Sequence, residues 1–284
     1  MVPEPVRRYL EAHNLGQPAQ SEPASGGCIN QGRVLTTTSG ARFFLKTNPQ
    51  APPDMFAREA EGLAALAAAP GGPRVPGALL EAAGFLLLEY LAPAPAEADY
   101  WPALGRRLAR QHLVTQDRFG FDHHNYLGLT PQPNPWSPDG HQFFAEHRLG
   151  YLGRLCAGRG LLDRQALRHV EHLSARLPGL IPAQPASLLH GDPWSGNIIP
   201  GPEGQACVID PAAHYGWAEA DLAMLTLFGQ PPAAFYRAYE SVRPLAQGYR
   251  ERFDLYNLYH LLNHLWLFGR AYGQAVDHIL RRYG

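Results

Sequence analysis

LLHGDPWSGNIIP, residues 188–200, sets a histidine, a carboxylate and a carboxamide in one short loop between two apolar runs. Buried strands favour apolar residues, and a tight turn needs only glycine or asparagine. His190, Asp192 and Asn197 at this spacing therefore imply a task beyond turning the chain. Eighteen positions after Asp192 comes Asp210, at the end of the apolar run ACVI. If the segment from 188 to 210 folds as a hairpin, three side-chain oxygens meet. Magnesium takes oxygen ligands in near-octahedral geometry, one or two from protein and the rest from phosphates and water. Asn197 and Asp210 suit that role, and Asp192 is then free to accept a hydroxyl proton. This is the division of labour in kinase-type phosphoryl transfer. Asp, Gly and Asn are also turn formers, and H-G-D taken alone favours the turn reading. The later Asn197, together with an apolar strand ending in Asp210-Pro211, favours the chemical reading.

Such a centre needs a cation on a strand and an acid on a helix. CINQGRVLTTTSGARFFLKT, residues 28–47, reads as a hairpin turning at Ser39-Gly40, with Lys46 ending its second strand. PDMFAREAEGLAALAAA, residues 53–69, is rich in helix formers, with Phe56, Ala60, Leu63 and Ala67 on one face. Glu59 lies in it, placed to turn towards Lys46. A solvated lysine and a surface glutamate are the commoner fate of either residue alone. SGGCINQG, residues 25–32, offers Gly26 and Gly27 where backbone N–H groups can cradle a phosphate, although two glycines before a strand are often a plain turn. FLLLEYL, residues 85–91, is a central strand whose end, Glu89, Tyr90 and Leu91, can meet adenine through its backbone. APAPAEAD, residues 92–99, reads as a connector.

The rest is mainly helical: 101–113, 141–158, 162–177 and a block from 253 to 272, interrupted by strand-like runs at SLLH and ACVID. The chain thus reads as α+β, with a small lobe over 1–91, a linker over 92–98 and a larger mainly helical lobe over 99–284. Lys plus Arg number 24 and Asp plus Glu 25. This balance gives no support for broad binding to nucleic acid or an acidic membrane. No apolar run reaches membrane-spanning length, and the N-terminus lacks a signal-peptide core. Three scattered cysteines argue against a disulfide framework. The expectation is a cytoplasmic protein.

The strings GGCIN (26–30), FFLK (43–46), MFAREAEGL (55–63), LEYL (88–91), FGFDHHNYLG (119–128), PQPN (131–134), FFAEHRL (143–149), LLHGDPWSGN (188–197), VIDPAAHYG (208–216), EADLAM (219–224) and LYHLLNHLWLFG (258–269) run nearly end to end. Together they resemble the fructosamine (ketosamine) 3-kinase family, relatives of aminoglycoside phosphotransferases. The resemblance implies a bilobal protein-kinase-like fold, its small lobe an antiparallel sheet plus helix. It implies ATP- and magnesium-dependent phosphorylation of the 3-hydroxyl of ketosamines, either small molecules or glycated protein lysines, in deglycation repair. By the same resemblance Asp192 is the base, Asn197 and Asp210 hold Mg2+, Lys46 and Glu59 anchor phosphates, and Glu89 to Leu91 form the adenine hinge. The alternative is a phosphotransferase of the aminoglycoside or choline kinase type acting on another alcohol.

Two departures stand out. Pro193 replaces the family's leucine after H-G-D, and Trp217-Ala218 replaces a charged pair before E-x-D-L-A-M. Asn125, Tyr126, Gln132 and Asn134 are candidate polar groups of the sugar pocket, and Trp194, Tyr215 and Trp217 candidate stacking groups. Caps of a Pro-rich loop and core packing are the competing readings. Cys28, in the glycine loop, is a candidate redox-sensitive thiol or simply a small buried residue. His260 and His264 share a helix face, but leucine follows His260 where a zinc protease has glutamate, so helix packing with satisfied imidazoles is expected. Neither the preferred sugar nor the oligomeric state is encoded legibly.

Overall fold

The computed structural model describes residues 2–24 and 29–283. Gly26, Gly27 and Cys28 lie outside the described residues. The chain opens with helix α1 (Glu4–Ala12), strands β1 (Pro18–Pro23), β2 (Gln31–Thr37) and β3 (Arg42–Thr47), helix α2 (Met55–Ala67), and strands β4 (Ala78–Ala82) and β5 (Phe85–Glu89). The strands form one antiparallel sheet in the order β1-β2-β3-β5-β4. The β2–β3 turn closes at Ser39-Gly40, where φ of Gly40 is +84°, a region open to glycine.

The two-residue period of the strands sorts the sheet's faces. Phe43, Leu45, Phe85 and Leu87 point to one side and are buried with Val6 and Leu10 of α1 and Leu35 of β2. Their neighbours Leu86 and Leu88 belong to the other core, with Phe56, Leu63 and Leu66 of α2. Lys46 has the opposite parity to Leu45 and so faces α2. The apolar stripe of α2 differs slightly from expectation: Ala67 is exposed and Leu66 fills the core. Gly62 lets α2 approach Ala213, where an added Cβ would stand 3.3 Å from that residue's Cβ.

The second part of the chain carries α3 (Tyr100–His112), β6 (Thr115–Gln116), the hairpin β7 (Asn125–Leu127) and β8 (Thr130–Gln132), α4 (Gly140–Phe144), α5 (Tyr151–Gly158) and α6 (Arg164–Leu180). Then come β9 (Ala186–Leu189), β10 (Ile198–Pro200), β11 (Ala206–Val208) and β12 (His214–Gly216), and α7 (Ala218–Met224), α8 (Ala233–Glu240), α9 (Phe253–Phe268) and α10 (Gly273–Tyr283). The helix expected over 141–158 is continuous but unwinds to a π-helical turn at Ala145–Gly150. The C-terminal block stops at Gly269, φ +86°, and resumes as α10. Among the described residues no helix is long and apolar enough to cross a membrane.

One expectation needs correction. The runs flanking the 188–210 segment do not pair with each other. β9 pairs with β12 and β6, whereas β11 pairs with β10. The chain reverses sharply at Gly191 (φ +83°) and Asp210 (φ +56°), so each end of the loop enters a different small sheet. Convergence survives through two backbone bonds: Ile209 N–H donates to the Asn197 carbonyl at 3.0 Å, and Ala212 N–H to the His190 carbonyl at 2.9 Å.

Candidate active site

A cleft of about 800 Å³ opens between the sheet and the helical part. Lys46, Glu59, Asp192, Asn197 and Asp210 all line it. The parity of β3 delivers Lys46, which is 4% exposed, to α2. Its Nζ lies 2.5 Å from Glu59 Oε1 and 2.6 Å from Asp210 Oδ1. Burial alone would lower the Lys46 pKa, but the Asp210 and Glu59 carboxylates outweigh it and raise it, so the ammonium is retained. Burial acts the opposite way on Glu59 and raises it. Asp210 holds a left-handed backbone, a conformation that aspartate tolerates better than most residues. That turn swings its carboxylate off β11 and into the cleft.

Asn197 Nδ2 donates to the Asp192 carbonyl at 2.9 Å and to Asp192 Oδ2 at 3.3 Å. Its amide nitrogen is thus committed, and Oδ1 is the atom left for a cation. Asp192 receives little else. Burial first, then the charges of Asp210 and Asp221, push its pKa well above the usual carboxylate range.

Asp221, on α7, holds the loop from behind. Its Oδ2 accepts the His190 N–H at 2.8 Å and its Oδ1 the Gly191 N–H at 2.9 Å. His112 Nε2 lies 3.1 Å from Oδ2 and donates to it, since a carboxylate only accepts. His112 Nδ1 pairs with the Tyr239 hydroxyl at 2.8 Å. Burial would raise the Asp221 pKa, but His112 first, then His190 and the Gly191 N–H, hold it below the usual value. Gly191 is required here: an added Cβ would meet the Ala212 carbonyl oxygen at 2.2 Å. Asp221 and His112 escaped the sequence reading, because a separation of 109 residues leaves no spacing signal. EADLAM was visible as a string without a role.

Several candidate residues have other work. Asn125, Gln132 and Asn134 are buried and bonded to one another: Asn125 Oδ1 accepts from Gln132 Nε2 at 2.7 Å and Asn134 Nδ2 at 2.8 Å. Asn125 Nδ2 donates to the Ala213 carbonyl at 2.8 Å. This network knits the β7–β8 hairpin to residues 212–213, and of the three only Asn125 reaches the cleft wall. Tyr126 also lines the cleft, its hydroxyl donating to Asp54 at 2.7 Å. Trp194 lines the cleft. Trp217 does not: it is 3% exposed, packed edgewise on Phe119 and Tyr256. Tyr215 sits between Phe121 and Trp136, away from the cleft lining. Glu89, Tyr90 and Leu91 do not line the cleft either. Glu89 pairs with Arg74, Arg42 covers the Tyr90 ring, and Leu91 is buried. The apolar end beside Lys46 is instead walled by Phe44, Ile199 and Ile209.

The expectation of satisfied imidazoles holds for His264 and not for His260. His264 Nδ1 donates to the His260 carbonyl at 2.7 Å. His260 Nδ1 has no partner and lies 4.0 Å from Asp192 Oδ1. Burial drives the His260 pKa down to about 3, so the ring is neutral. Among the described residues no group of three His, Cys, Asp or Glu side chains is placed to hold a metal.

The fructosamine kinase family model matches residues 4–283. A protein of Synechocystis named "probable ketoamine kinase" is 41% identical, covering 95% of this chain and 93% of its own. The chloroplastic protein-ribulosamine 3-kinase of Arabidopsis thaliana is 35% identical over 100% of this chain and 88% of its own. A solved Thermobifida fusca structure named for fructosamine-3-kinase superposes with a TM-score of 0.89 at 33% identity, covering 99% of this chain and 98% of that one. An ADP-bound aminoglycoside phosphotransferase, at 14% identity and a TM-score of 0.62 over 96% of each chain, shares the fold. The bilobal, kinase-like arrangement of sheet, cleft and helical body is therefore common ground, and end-to-end similarity narrows it: this chain belongs to the fructosamine kinase family.

Proposed function

We propose that the protein transfers the γ-phosphate of ATP to the 3-hydroxyl of ketosamines, the adducts of reducing sugars with amines. The reading rests on family membership and on one geometric fact: Lys46, Glu59, Asp192, Asn197 and Asp210 all line a single cleft. Residues 1–91 act as the nucleotide lobe, 92–98 as the connector and 99–284 as the catalytic and substrate lobe. The Glu97 N–H donates to the Gly204 carbonyl at 3.1 Å, which ties the connector to the β10–β11 hairpin.

In this reading Asp192 accepts the hydroxyl proton, for which its raised pKa suits it. Asn197, through Oδ1, and Asp210 fit a magnesium ion, because two protein oxygens leave room for phosphate and water. When bound, that ion offsets charge on the phosphates. Lys46, steered by Glu59, holds the α- and β-phosphates. Asp221 and His112 fix the loop so that Asp192 meets the hydroxyl in line. Glycated protein lysines are included as acceptors, since Phe228 and Phe268, which line the cleft with Trp194, are exposed to solvent.

The test is a coupled ADP-release assay with magnesium and ATP over fructosyl-, ribulosyl- and erythrulosyl-lysine, with an aminoglycoside and choline as controls. Phosphorylation at the sugar 3-position is the expected result. Turnover of the aminoglycoside or choline alone overturns the reading.

A further inference from the structure

The end of the cleft beyond Asp192 is built from aromatic rings. Trp194 meets Phe228 edgewise at 5.9 Å, and Phe228 meets His264 at 5.1 Å. His264 in turn faces Phe268 at 5.6 Å and Tyr272 at 5.0 Å. All five line the cleft, and Phe228 and Phe268 remain 41% and 47% exposed. Large apolar groups left this open commonly mark a binding site. Only three acids line the cleft among the described residues, Glu59, Asp192 and Asp210, and none of them pairs with these rings.

Three features nevertheless favour a positive charge. Aromatic faces attract cations. His264 and Phe268 occupy the last turns of α9, whose C-terminal carbonyls carry the negative end of the helix dipole. Finally, His264 donates through Nδ1 to a carbonyl, which can only accept, so its Nε2 carries a lone pair. Burial lowers the His264 pKa and keeps that lone pair free of a proton. The spacing also fits. His264 lies one turn, about 5.4 Å, along α9 from His260, whose ring adjoins Asp192. In a ketosamine only C1 and C2 separate the nitrogen from C3, the carbon that bears the reacting hydroxyl.

We propose that Trp194, Phe228, His264, Phe268 and Tyr272 form a receptor for the protonated amine of the ketosamine, with His264 Nε2 accepting its N–H. The inference rests on the ketosamine kinase reading and adds what selects the amine. A free sugar with its C3 hydroxyl at Asp192 leaves the receptor empty. A polycationic drug lacks the several carboxylates it would need. The amine's carbon chain leaves over Phe228 and Phe268 towards solvent.

The test compares a matched pair: N-butyl-1-amino-1-deoxyribulose and its ether isostere, 1-O-butyl-ribulose. The readout is the ratio of their kcat/KM values. The wild type favours the amine, and His264→Leu lowers that ratio about tenfold or more, the effect of losing one charge-assisted hydrogen bond. Phe268→Ala, a change at an exposed position, lowers it about two- to fivefold. Parallel ATP-binding calorimetry confirms that each variant is folded. An amine preference that survives both substitutions overturns the receptor while leaving the kinase reading intact. A fall in both rates at constant ratio, the mark of a merely structural role, overturns it too. A wild type that phosphorylates the ether and never the amine overturns both readings.

Discussion

The two faces of the 190–197 loop each present an aspartate, and the two are treated in opposite ways. Behind the loop, Asp221 spends its oxygens on the N–H groups of His190 and Gly191 and on His112. Its pKa is held down despite full burial. In front, Asp192 accepts one side-chain bond, from Asn197 at 3.3 Å, and faces two like charges. Its pKa is pushed up. The same residue type becomes a structural anchor where donors converge, and a proton acceptor in waiting where they are withheld. Stability is concentrated on one face of the loop and chemistry on the other.

The largest effect tests the front face. Asp192→Asn should lower kcat about 10²–10⁴-fold while leaving Mg-ATP affinity roughly intact, as steady-state kinetics and calorimetry will show. Near-normal turnover would remove Asp192 from the role of base. Next comes the back face. Asp221→Ala strips two backbone N–H groups and His112 of their acceptor, and should cost about 3–5 kcal/mol in urea unfolding. A loss below about 1 kcal/mol would mean that the loop is held elsewhere.

The opposite pKa directions can be read directly. Carbon-13 carboxyl titration of the nucleotide-free protein should show one aspartate above the ordinary value of about 3.9, absent from Asp192→Asn, and one below it. Two aspartates with ordinary midpoints would erase the contrast. The smallest effect follows by linkage. The folded pKa of Asp192 is raised, so its favourable contribution is complete below the unfolded pKa. That contribution is lost as pH climbs through the folded value. At neutral pH the ionised carboxylate is a net cost, and Asp192→Asn should raise Tm by about 2–4 °C per kcal/mol relieved. Asp221 runs the other way: its contribution is present at neutral pH and fades as pH falls through its lowered pKa.

What the sequence made legible was local. Alternating parity put Lys46 on the face opposite Leu45, and helical spacing put Glu59 where it could answer. The ion pair at 2.5 Å follows from those two periods. The loop strings announced Asp192, Asn197 and Asp210 because a histidine, a carboxamide and two acids are poor choices for buried strands, and their joint spacing exceeds what a plain turn requires. Aromatic side chains were harder to assign. Trp194 and Trp217 look alike in a string, yet one lines the cleft and the other is sealed between Phe119 and Tyr256. Asn125, Gln132 and Asn134 looked like sugar ligands and proved to be partners of one another.

The sequence alone therefore determined which residues can do chemistry and which elements carry them, since periodicity and residue type act over a few positions. Tertiary structure alone decided that β9 and β11 belong to different sheets, that Asp221 and His112 clasp the loop, and that Phe228, His264, Phe268 and Tyr272 wall the cleft beside Trp194. Those decisions depend on which surfaces are desolvated together by chain segments far apart. Burial of that kind leaves no mark in local spacing.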